Sequence, residues 1–157
     1  MVALAVWIGG LVVIIAAVIP AVFNSFGMEP GGRFLTRVFN GYNEVVLVSM
    51  ATMGGAIAVR AWGLQAGGLS HAMPGRAEAI LFGTMVLVAS LIIFVLGPQA
   101  ISLQEEAFRT KDEATRRVAY DAFFRDHMIV RGLYVLNLGL GIGLLAVKLK
   151  SFLRKEL

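Results

Sequence analysis

The chain has 157 residues, 58% of them hydrophobic and only 15% charged, with a formal net charge of +4 and no cysteine. Soluble domains carry about a quarter charged residues, so this composition excludes an ordinary water-soluble fold and predicts an integral membrane protein. Without cysteine, disulfides, thiolate nucleophiles and cysteine-based metal sites are excluded too, and the length suits one domain over residues 1–157.

A helix needs roughly 20 mostly apolar residues to cross the hydrocarbon core, and four runs satisfy this. The first covers about residues 2–23, free of charge and interrupted only by Gly9, Gly10 and Pro20. It lacks the basic leader and short apolar stretch of a signal peptide and is expected to be retained. The second covers about 42–62, with Glu44 and Arg60 near its ends. The third covers about 77–96 and is expected to stop at Gly97-Pro98, a helix-breaking pair. The fourth covers about 128–147, with Arg131 one turn inside. The expected fold is therefore all-α: a four-helix membrane bundle.

The connections differ in kind. Residues 63–75 form a short glycine-rich loop containing Ser70, His71 and Pro74. Between the first two spans, Pro30-Gly31-Gly32 precedes a stretch that places Phe34, Leu35, Val38 and Phe39 on one side, the pattern of an interfacial amphipathic segment. The third connection is long and polar, with six acidic and six basic residues between 105 and 131. There Thr110-Lys111-Asp112-Glu113 has the form of a capping box, predicting a helix that starts at this point and runs on into the fourth span. Four crossings put both termini and the 63–75 loop on one side. That side holds six basic and two acidic residues, against eight of each on the other. Counting Lys and Arg alone does not decide the orientation; the compact basic tail after the fourth span favours cytoplasmic termini in a bacterial inner membrane.

Candidate sites concentrate on the fourth helix. Gly132, Gly139 and Gly143 line one face, and glycine allows another helix backbone to come close, either within the bundle or from another subunit. The opposite face carries His127, Arg131 and Tyr134. Asn24, Asn40, Tyr42, Asn43, Glu44 and Gln99 fall near the same membrane boundary. An ionisable group inside a bilayer is expensive unless paired, and Glu44 is the expected partner of Arg131. Glu44, His127, Arg131 and Tyr134 thus read either as an interhelical clamp or as a polar vestibule for a small ligand or ion. His71 and His127 belong to opposite sides of a bilayer ~30 Å thick and cannot share one haem or ion. His/Met ligation of haem leaves each a separate candidate, beside Met73 and Met128. Met50 and Met53 on the second helix, with Met85 on the third, are soft donors suited to copper(I) and equally fill gaps between helices. Gly139-Leu140-Gly141-Ile142-Gly143 has no preceding strand and is not a nucleotide loop.

Trp7-Ile8-Gly9-Gly10 followed by Pro20-Ala21-Val22-Phe23 resembles the opening of the small CopD-like membrane proteins. The likeness is to the uncharacterised bacterial branch related to the vertebrate transmembrane protein implicated in platinum-drug resistance. The Arg33–Tyr42 stretch, Pro98, and Phe124-Arg125-Asp126-His127 are similar to that branch as well. The resemblance implies a four-helix membrane bundle whose members mostly have no assigned activity. The wider group includes copper-resistance permease domains and a haem-dependent protoporphyrinogen oxidase with a histidine in its first helix. The first helix here has none, and only His127 in its FRDH setting carries over. Three functions are in play: a non-catalytic accessory or structural subunit of a larger, possibly bioenergetic, membrane complex; a small-solute or copper-like metal transporter; and a haem-binding redox protein. With no complete catalytic set and no cofactor expected, the first is preferred; the expected partners are lipids and other membrane subunits or further copies of the chain.

Overall fold

A computed structural model describes residues 1–65 and 75–156 and is helical nearly throughout. The elements are α1 (Val2–Val13), a π-turn (Ile14–Val18), α2 (Ile19–Phe26), α3 (Met28–Gln65), α4 (Arg76–Leu91), a second π-turn (Ile92–Leu96), α5 (Gly97–Arg109) and α6 (Glu113–Glu156). They make four continuous rods, Val2–Phe26, Met28–Trp62, Arg76–Arg109 and Glu113–Leu153, each long and apolar enough to cross a membrane. The protein is an integral membrane four-helix bundle.

The rods outrun the apolar runs that predict them. At about 1.5 Å per residue, the 44 residues of α6 reach twice the ~30 Å hydrocarbon thickness. The third rod does not stop at Gly97-Pro98. Proline lacks the N–H that an α-helix needs, and the chain absorbs the defect by widening into a π-turn, where the Gly97 N–H donates to the Ile92 carbonyl. A Cβ on Gly97 would lie 2.9 Å from that oxygen, so this turn is drawn more tightly than the first, where Ile19 takes the same place. The same device precedes Pro20, and both π-turns begin an Ile-Ile-x-x-x-x-Pro sequence (14–20 and 92–98).

The residues around 33–39 form no separate interfacial helix. They belong to α3, and their inward side docks on the protein: Leu35 is buried, the Thr36 hydroxyl contacts Gln104 on α5, and Arg33 lies 5.5 Å from the Phe108 ring. A single residue turns α2 into α3: Gly27, at φ 74° and ψ −168°, in a region essentially reserved for glycine. At the other hairpin, the N-cap of α6 is Asp112 rather than Thr110. Asp112 Oδ2 accepts the Thr115 N–H at 2.9 Å and its hydroxyl at 2.6 Å. The Thr110 hydroxyl instead donates back to the Glu106 carbonyl and closes α5.

The core follows from helical spacing. Leu4, Trp7, Leu11 and Ile14 form the inner stripe of the first rod and meet Tyr42 and Val46 of α3, Met85 and Ala89 of α4 and Leu144 of α6. α6 packs along α4 and α5 and touches α1, while α1 and α2 pack on α3.

Candidate functional site

Polar groups come together where α1, α3 and α6 meet. The Tyr42 hydroxyl donates to the Trp7 carbonyl at 3.0 Å, and the Tyr134 hydroxyl donates to Asn43 Oδ1 at 3.1 Å. The two tyrosine rings lie 6.3 Å apart, with Phe39 against Tyr134 at 5.2 Å. Gly10 makes room for this arrangement, since a Cβ there would sit 3.2 Å from the Tyr42 ring. Of the four residues expected to act together, the structure brings Tyr134 into this cluster and leaves out Glu44, His127 and Arg131.

The reason is azimuth. Successive residues of a helix turn by about 100°, so Tyr42 and Asn43 face inward while Glu44 is exposed. Arg131 follows the buried Val130 and is exposed in the same way, and the expected Glu44–Arg131 pair does not form. His127 is exposed and stacks on Phe123 at 5.6 Å. Among the described residues, the ion pair that does clamp two spans is Glu78–Lys148, with side chains 14% and 21% exposed, joining α4 to α6. Asn24, Asn40 and Gln99 are exposed.

The inner stripe of α6 holds residues that sequence reasoning passed over. Asp126 and Asn137 are 7% and 5% exposed, and Asp126 Oδ2 and Asn137 Oδ1 have no hydrogen-bond partner. Asn137 Nδ2 makes a long contact of 3.5 Å to the Met85 carbonyl. Asp126, Asn137 and Lys148 recur every eleven residues along one face, about 16 Å apart by helical rise. An unpaired buried acceptor calls for a hydrogen-bond donor, a cation or water. The available sequence signal was Asn137 itself, a polar amide in the middle of the fourth apolar run.

The close-packing glycine of α6 is Gly141. A Cβ there would lie 2.8 Å from Ile8 Cγ1 and 3.2 Å from Met85 Cε. A Cβ on Gly132, Gly139 or Gly143 would meet nothing within 4 Å, so these three do not serve packing within this chain. Met50 and Met53 are half-buried against the core and Met85 is fully buried. Among the described residues no three His, Asp or Glu side chains converge. His71 and Met73 lie outside the described residues. An open concavity at Arg116, Arg117, Tyr120 and Asp121 lies on one face of α6.

Residues 2–109 match a protein family described as Domain of unknown function (DUF4149). The match starts with α1 and ends with α5, so α6 and its FRDH segment lie beyond it. No curated protein and no solved structure matches the chain. With more than two thirds of its length matched, the chain belongs to the DUF4149 family.

Proposed function

We propose that this protein is a non-catalytic structural subunit of a larger membrane assembly, docking through the outer face of α6. The carrying observation is the contrast among the α6 glycines. Gly141 is used inside the bundle, whereas a Cβ on Gly132, Gly139 or Gly143 would enter open space, with Gly132 and Gly139 exposed and Gly143 half-buried. In lipid, helices associate by close van der Waals packing, and outward small residues are where a foreign backbone can approach. The exposed Glu44 and Arg131 support the same reading, because charges within membrane spans are costly until another group pairs with them. On this reading both termini face the cytoplasm and the membrane is a bacterial inner membrane, as the basic tail after the fourth span favours.

A second reading, passage of a small cation or other solute along the inner stripe of α6, rests on the unpartnered oxygens of Asp126 and Asn137. Copper or haem handling, suggested by the CopD-like resemblance, belongs with it. The test is purification from native membranes in mild detergent, with particle size, co-purifying polypeptides, visible spectrum and metal content read on one sample. A particle well above one chain in its detergent belt is expected. A lone chain overturns the structural-subunit reading, and bound copper or a Soret band moves the function to the second.

A further inference from the structure

We infer that the partner on the outer face of α6 is a second copy of this chain, whose α3 lies along it in a head-to-tail contact. The inference rests on the docking role just proposed and names its partner.

Depth is the first constraint. Copies inserted with the same orientation are related by rotation about the membrane normal, which leaves every residue at its own depth. Residues meet across such an interface only if they already lie at similar heights. α3 and α6 run in the same direction across the bundle, and the contacts of Tyr134 with Phe39, Tyr42 and Asn43 set their relative height to within about one turn; the hydrogen bond to Asn43, 91 residues away in sequence, gives the register used below. The outer stripes of the two helices correspond at this offset: positions 40, 44, 48, 51 and 55 on α3, and 131, 135, 139, 142 and 146 on α6, are all exposed. Both follow the three-and-four spacing of a helix–helix seam.

Size and charge then agree. At equal height Val48 faces Gly139 and Ala51 faces Ile142, a large residue against a small one in alternation. Asn40 falls level with Arg131. Glu44 lies one turn, about 6 Å by helical rise, from the level of Arg131, the same separation that i, i+4 ion pairs span, so the two long side chains can meet across the contact. Each copy carries both charges, and neither finds an ion-pair partner among the described residues of its own chain. A two-fold contact of α6 on α6 would set Arg131 against Arg131, and α3 on α3 would set Glu44 against Glu44. Only the α3–α6 contact pairs opposite charges, and being heterologous it continues from copy to copy until a ring closes.

The absence of cysteine from the chain makes the test direct. Val48→Cys and Gly139→Cys are introduced singly and together, and native membranes are oxidised. A disulfide needs Cα atoms within about 7 Å, which outward positions reach only across a contact. The double variant should give a ladder of cross-linked multimers, while each single variant stays monomeric. Glu44→Lys should reduce the ladder at least tenfold, and adding Arg131→Glu should restore it; all variants are checked for unchanged helical content in detergent. Dimers from either single variant, or a ladder indifferent to Glu44→Lys, overturn the inference. Gly139→Cys linking instead to a different polypeptide overturns it while leaving the structural-subunit reading intact. No adduct to any protein overturns both.

Discussion

Gly141→Ala tests the packing of the bundle at its tightest point. The added methyl would lie 2.8 Å from Ile8 Cγ1, 3.1 Å from Ile8 Cδ1 and 3.2 Å from Met85 Cε, where apolar carbons prefer about 3.5–4.0 Å. Met85 is flexible, but it is fully buried and has little room to move. Ile8 is stiffer: Cγ1 is bonded directly to a branched Cβ, and moving it means rotating a restricted χ1. Overpacking of this kind costs about 1–3 kcal/mol. In chains of this size each kcal/mol shifts Tm by about 2–4 °C, so a fall of about 2–12 °C is expected in a detergent that keeps the protein monomeric. Gly139→Ala, with nothing within 4 Å of the new methyl, should leave Tm nearly unchanged. In an Ile8→Ala background the further loss caused by Gly141→Ala should shrink, because the clashing carbons are gone. A Gly141→Ala protein as stable as the parent, or a Gly139→Ala protein that falls equally far, would refute the assignment of inner and outer faces.

Alanine replacement of Glu78 and Lys148, singly and together, should give a coupling of about 1–3 kcal/mol in a double-mutant cycle, whereas the same cycle on Glu44 and Arg131 in the monomer should give none. Tyr42→Phe removes the hydrogen bond to the Trp7 carbonyl and should cost about 0.5–1.5 kcal/mol in detergent unfolding. The bonds from Thr115 hold the Asp112 carboxyl below its ordinary value of 3.8. A depressed folded-state value means the cap is at full strength above that range and is lost as pH falls through the depressed value. Protection of the Thr115 amide, taken relative to its intrinsic exchange rate at each pH, should therefore fall as the cap is protonated, and Asp112→Ala should lack that protection at every pH.

The four spans were legible because lipid imposes a simple rule, a long run without charge, and residues 2–23 and 79–96 obey it openly. The ends were not, because a helix leaving the membrane loses its hydropathy signal. α3 begins at Met28 and α6 at Glu113, both in polar sequence. Gly97-Pro98 was misread for a local reason: a π-turn lets the helix pass a proline, and nothing in composition separates a widened turn from a broken one. The site was half legible. Tyr42 and Asn43 do meet Tyr134, while Glu44, His127 and Arg131 stay outside that cluster. Choosing Glu44 for Arg131 required knowing which way each helix is rotated. In a lipid-embedded helix the inner and outer faces are both apolar, so the amphipathic stripe that would reveal rotation in water is weak. The same ambiguity hid Gly141 between Gly139 and Gly143.

Inside and outside this bundle use different chemistry, and that makes them separable. The interior is held by close packing at Gly10 and Gly141 and by uncharged groups reaching backbone carbonyls, Tyr42 to Trp7 and Asn137 to Met85. The Glu78–Lys148 clamp is the charged exception. None of these contacts uses Glu44, Arg131, Gly132 or Gly139. The outward groups therefore add little to the stability of one chain, yet an exposed charge within a span is a standing cost that association relieves. Substitutions at Gly141 or Tyr42 should weaken the monomer, and those at Glu44 or Gly139 should leave it intact while changing what it associates with. A protein whose fold and assembly respond to separate sets of residues is what a structural subunit requires; a transporter built on the inner stripe would instead lose function through Asp126 and Asn137 with its assembly unchanged.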